Sequence, residues 1–139
     1  MSEIEIRTTV NELYDAYRRQ DLERFAALLH KDIDWIIYGP IDVFPFAGLR
    51  RGRAAVVQAI AEIAKIYSLE SYSPEVIIVD GDRAAVMSDV SFKQRATERT
   101  LRFRVANFLR VQEGQLIEFR EFADSFDLVE QAIGHPVEL

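Results

Sequence analysis

The sequence predicts an α+β domain: a cone-shaped α+β barrel, with three helices from the N-terminal half packed in the concave face of a strongly twisted, mostly antiparallel sheet. Two observations carry this. Helix-period apolar runs are grouped ahead of the strands rather than alternating with them, which argues against a parallel doubly wound fold. From Leu69 onward the apolar period changes to two, which marks a run of strands. The 139 residues are read as one domain, 1–139, long enough to bury its own core.

The elements follow in chain order. Ile6, Val10, Leu13, Tyr14 and Tyr17 recur at three- and four-residue steps, one face of a first helix. Asp21 is placed to cap a second helix, whose apolar face is Leu22, Phe25, Ala26 and Leu29. His30 and Lys31 suit the negative pole at its end. Asp34 to Tyr38 is rich in β-branched and aromatic residues and stops at Gly39-Pro40, so it predicts a short strand. Ile41 to Gly52 is a loop with unusually many apolar residues, expected to fold over the core or a ligand cavity. Arg53 to Tyr67 is a third helix, faced by Val56, Ile60, Ile63 and Ala64.

Glu75 to Val79 is a strand, and Asp80-Gly81-Asp82 signals a hairpin turn. Ala84 to Lys93, Thr100 to Val111 and Leu116 to Ala123 complete a four-strand meander. Asp124 or Ser125 caps a terminal helix with Phe126, Val129 and Ile133 as its apolar face. Gly134 and Pro136 end it.

Composition excludes several function classes. The chain has no cysteine, which removes disulfides, thiolate metal sites and cysteine nucleophiles. The net charge of −6 argues against a nucleic-acid binder, and the arginines at 99, 102, 104 and 110 are interleaved with glutamates. No apolar run reaches the roughly 20 residues of a membrane helix. The acidic, polar start is unlike a secretory signal, so the cytoplasm is the expected compartment. His30 and His135 form no spaced metal set. The glycines make no phosphate-cradling loop, so no cofactor is expected.

Four segments carry a family resemblance. Tyr14 to Asp34 contains Asp21 and Leu28-Leu29. Gly39-Pro40 precedes Phe44-Pro45-Phe46-Ala47-Gly48 and Arg51-Gly52-Arg53. Val111 to Ile117 reads as a last hairpin, and Phe119-Arg120-Glu121-Phe122-Ala123-Asp124 as a closing strand with its acid. In this order they resemble the SnoaL-like (polyketide cyclase-like, ketosteroid-isomerase-related) group of the nuclear transport factor 2-like superfamily. The resemblance implies a cavity-bearing cone, a dimer, and an acid or base at Asp124. It also places Leu13, Ile37 and Asn107 where steroid isomerases keep a tyrosine, a base and an acid. That mismatch argues against steroid isomerisation.

The candidate site residues each have a second reading. Asn107 interrupts the apolar face formed by Phe103, Val105, Leu109 and Val111. It is either a core amide bonded to its neighbours or a ligand-orienting group. Asp124 shares a strand face with Phe122 and Arg120. On an apolar wall its carboxyl rises toward useful proton-transfer values, and Arg120 beside it opposes that shift. The other reading is a plain helix cap. Trp35, Tyr38, Phe46 and Tyr14 are candidate ligand-binding residues, or core. The leading expectation is a pocket for a small apolar or cyclic ligand, with acid–base chemistry of the isomerase, cyclase or epoxide-hydrolase type by Asp124 and Arg120. The alternative is a non-catalytic ligand-binding or interaction module. A homodimer through the outer sheet face is also expected, from Met87, Ala106 and Phe108.

Overall fold

The structure, a computed structural model, describes residues 1–139. Helix α1 spans Glu3–Arg18 and opens on Ser2, whose hydroxyl accepts from the Glu5 amide at 3.1 Å. Helix α2 is Leu22–Ala27, capped by Asp21. Strands β1 (Leu29–Ile37) and β2 (Gly48–Arg51) precede α3 (Arg53–Ile66). Then come β3 (Tyr67–Asp80), β4 (Arg83–Gln94), β5 (Thr100–Gln112), β6 (Gln115–Ala123) and α4 (Ser125–Ile133).

The six strands form one sheet in the order β2-β1-β6-β5-β4-β3. β1 and β6 are parallel, and every other pair is antiparallel. The sheet curls around α1 and α3, whose apolar stripes supply Ile6, Val10, Leu13, Val56 and Ile60 to the core. This is the mostly antiparallel α+β cone that the grouped helices and the change of period predict. No helix is long and apolar enough to cross a membrane.

Several boundaries differ from the sequence reading, each for a tertiary reason. The second helix stops before Leu29, and His30 and Lys31 lie in a nine-residue strand. Leu29, fully buried, pairs with Leu116 of β6. Sheet pairing there overrides a helix-compatible spacing. The predicted loop 41–52 contains β2, four residues that pair with Asp34 to Ile37 and carry too little pattern to be read alone. β3 starts at Tyr67 instead of Glu75, because register shifts between Leu69 and Ser71 and between Pro74 and Val76 break the period-two signal. Helix α4 rests on Leu128, Val129 and Ala132, whereas Phe126 and Ile133 are exposed. Its last turn is clamped from outside: Gln131 exchanges hydrogen bonds with the Arg102 backbone at 2.9 and 2.8 Å, and Arg99 donates to the Ala132 carbonyl at 2.8 Å.

Leu29 tests the parallel seam. Leu29→Ala leaves a cavity between α2, β1 and β6, and we expect a loss of about 2–5 kcal/mol in a urea unfolding titration.

Candidate active site

Strand parity decides what the last strand offers the interior. β5 buries Leu101, Val105, Asn107, Leu109 and Val111. In an antiparallel pair, directly opposed residues share a face. Asn107 is opposed by Glu121, and Leu109 by Phe119. So Phe119, Glu121 and Ala123 face inward, while Arg120 and Phe122 face out. An irregularity beside Arg110 and Val111 sets this phase against the strand's start.

Arg120, Phe122 and Asp124 do share a side, as alternation requires, but it is the outer one. Arg120 binds the Asp34 carboxylate at 3.0 Å and the Asp34 carbonyl at 3.1 Å. Phe122 is exposed and stacks on Tyr38, with ring centroids 4.6 Å apart. Asp124 is exposed and caps α4, accepting from the Asp127 amide at 3.1 Å. It does not line the cavity. The capping reading of Asp124 describes its observed contacts, and Ser125 does not take that role.

The cone encloses a cavity of about 100 Å³. Tyr14 and Tyr17 reach it from α1, Trp35 and Ile37 from β1, and Tyr72 from β3. Phe44, Phe46 and Ala47 come from the loop before β2, and Phe119 and Glu121 from β6. The apolar loop therefore folds over the cavity. Tyr38 sits at the rim, touching both the cavity and Phe122. Trp35 is held flat against Phe119, with centroids 3.8 Å apart and planes 14° from parallel.

A polar chain runs behind this wall. The Tyr14 hydroxyl donates to Asn107 Oδ1 at 2.6 Å, and the Tyr72 hydroxyl donates to the same oxygen at 3.3 Å. With its oxygen committed to two donors, Asn107 turns Nδ2 to Glu121 Oε1 at 3.1 Å. Among the sequence candidates, the structure thus brings together Tyr14, Trp35, Tyr38, Phe46 and Asn107, and leaves Asp124, Arg120 and Phe122 outside. Glu121 is the residue the sequence reading missed. Its signal was the pairing of β6 with the known inner face of β5.

Glu121 is the only carboxylate on the cavity wall, which carries no Lys, Arg or His. Burial pushes its carboxyl up from 4.5 to about 7, against the pull of the Asn107 hydrogen bond. Burial, followed by the Glu121 charge, raises the Tyr14 and Tyr17 phenols, so both are neutral donors at physiological pH. A carboxyl poised near neutrality in an apolar cavity can take and return a proton. No cluster of three or more His, Asp or Glu side chains is placed to hold a metal ion.

Residues 10–119 match the SnoaL-like domain. The chain belongs to the SnoaL-like domain family. Among solved structures, this SnoaL-like domain is similar to a candidate isomerase from Rhodopseudomonas palustris, at 38% identity over 97% of this chain and 100% of that one, with TM-score 0.84. It is also similar to a nuclear transport factor 2-like protein from Burkholderia xenovorans, at 27% identity over 95% and 98%, with TM-score 0.81. A limonene-epoxide-hydrolase-like epoxide hydrolase from Mycobacterium tuberculosis shares the fold at 16% identity over 95% and 92%, with TM-score 0.78. No curated protein matches this chain.

Two variants separate cap from cavity. Asp124→Ala should cost about 1 kcal/mol in denaturant unfolding and leave the Glu121 titration unchanged. Asn107→Leu should raise the Glu121 carboxyl further above about 7, because the hydrogen bond that favours its charged form is gone. NMR titration of the Glu121 side-chain carboxyl reads both.

Proposed function

We propose that this protein is a cofactor-independent acid–base catalyst of the isomerase or cyclase type, acting on a small apolar or cyclic substrate, with Glu121 as the proton-transferring group. The observation that carries the reading is one carboxyl, alone on an aromatic wall, pushed up to about 7. Isomerisation needs one group that removes a proton from carbon and returns it to another. Glu121 carboxylate takes the proton, the C–H electron pair moves into the substrate's unsaturation, and the carboxylic acid gives the proton back. Epoxide hydration asks for more: one group to activate water and a second to protonate the opening oxygen. A wall with a single carboxyl favours proton transfer over hydration. The likeness to a candidate isomerase at 38% identity supports the same class.

Cavity size bounds the substrate. About 100 Å³ approaches the ~150 Å³ of an engineered apolar cavity that admits benzene. A substrate no larger than one ring suits this conformation. Asp124 and Arg120 have no part in the chemistry in this reading.

The second reading is a ligand-binding module without turnover. The small cavity and the capping role of Asp124 favour it. We also propose a homodimer through the outer sheet face, where Phe108, Phe122, Tyr38 and Met87 are exposed. Phe108 packs edge-on against Phe122 at 5.9 Å. Ion pairs Arg104–Glu75 and Arg102–Asp89 lie on β3, β4 and β5 of the same sheet. Light scattering at micromolar concentration should give twice the chain mass, and Phe108→Asp should return it to the monomer value.

Proton transfer is tested by deuterium wash-in from D₂O at the carbons beside the carbonyl of one-ring ketones, followed by NMR. The rate constant should rise with pH through about 7 and level off above it, as Glu121 becomes the base. It should vanish in Glu121→Gln. Exchange that is untouched by that substitution removes Glu121 from the reaction and leaves the module reading.

The same substitution should stabilise the fold. The Glu121 carboxyl stands at about 7 folded against 4.5 ordinarily, so the folded state binds more protons between those values. Wild-type stability therefore falls as pH rises from about 4.5 through 7, then flattens. Glu121→Gln keeps an oxygen for Asn107 and escapes this loss. At pH 8–9 it should be more stable than wild type by about 3 kcal/mol, read from paired urea titrations.

A further inference from the structure

The proposed reaction leaves the charge of the ligand open. Twelve of the 25 residues lining the cavity are aromatic, among them Tyr14, Tyr17, Trp35, Phe44 and Phe119. The single ionisable carboxyl there is Glu121, and the wall carries no cationic side chain. Aromatic faces present negative charge density, and they attract organic cations most strongly when water is excluded. A carboxylate in the same enclosure adds a full negative charge. An anionic ligand finds no cationic partner in this space and is repelled by the Glu121 carboxylate and the aromatic faces.

Nothing on the surrounding elements supplies a competing positive charge to Glu121. From α1 it meets Tyr14 and Tyr17, and from β3 it meets Tyr72. From β5 it meets Asn107. Opposite it on β1 is Ile37. On its own strand, Glu118 and Arg120 lie on the outer side, where Arg120 is occupied by Asp34 and Glu118. The one nearby guanidinium is thus already neutralised. Of the two Glu121 oxygens, the Asn107 amide binds Oε1 alone, which leaves Oε2 for a ligand.

We propose that this cavity is a site for a small organic cation, of the methylated or cyclic ammonium class, held by the aromatic wall and paired with the Glu121 carboxylate. The inference rests on the reading that Glu121 faces the ligand, and it adds the ligand's charge. Binding is a balanced exchange: below about 7 the cation displaces the Glu121 proton to solvent, and above it the carboxylate is already free.

Three probes of one shape and different charge test this: choline, its neutral carbon isostere 3,3-dimethylbutan-1-ol, and the anion 3,3-dimethylbutanoate. Isothermal titration calorimetry on the intact protein should rank choline first and the anion last at pH 8.5. Choline affinity should fall by about tenfold per pH unit well below 7, with proton release visible as a buffer-dependent heat. Glu121→Gln, checked for folding by circular dichroism, should bind choline at least tenfold more weakly while keeping the neutral isostere. The neutral isostere binding as tightly as choline at pH 8.5 overturns the cation site. If that happens while Glu121-dependent deuterium wash-in persists, the acid–base reading survives and only the ligand charge is wrong. If Glu121→Gln changes neither binding nor exchange, both readings fall together.

Discussion

Asn107 carries an amide with one oxygen and one NH₂, and no water reaches it. Each end needs a partner inside the protein, or the fold loses about 1–3 kcal/mol per buried group left unpaired. Tyr14 from α1 and Tyr72 from β3 both donate to the oxygen, and the nitrogen has only Glu121 to donate to. One side chain therefore ties the first helix, the far strand and the last strand to a common point. The assignment of the amide's two ends follows from its neighbours, since a phenol donates and a carboxylate accepts. Rotating the amide would set two donors against an NH₂ and an acceptor against an oxygen.

The cost of the site falls on Glu121. An apolar enclosure disfavours its ionised form, and the single Asn107 bond recovers only part of that. The protein keeps a carboxyl where leucine would pack better, and a group held this way is more often a working residue than a structural one. Asp124 shows the contrast. It sits in water and satisfies a helix end. Two acids three residues apart meet opposite surroundings because the end of β6 separates the inside of the cone from its edge.

Most of the architecture was legible in the sequence, because long periodic segments report their own burial. The inner face of β5 and the apolar loop over the cavity could be read directly. The phase of β6 could not. Arg120 and Glu121 put one charge on each face of that strand, so alternation alone offered no preference. The choice is made across the sheet, where Asn107 and Leu109 face Glu121 and Phe119. β2 and the first half of β3 were hidden for a related reason: pairing partners and register shifts define them, and neither leaves a local pattern.

The parallel seam has a consequence for how the molecule comes into being. β1 and β6 meet across most of the chain: the Leu116 amide donates to the Leu28 carbonyl at 2.8 Å, and Arg120 reaches the Asp34 carbonyl 86 residues away. Contacts so distant in sequence close late and slow the search for the native state. During synthesis, Trp35 and Ile37 emerge long before Phe119 and Glu121, and they wait with their apolar surface uncovered. The wall that holds Glu121 is completed only when β6 pairs, so a chain that stops short of β6 has β3, β4 and β5 but no closed cavity.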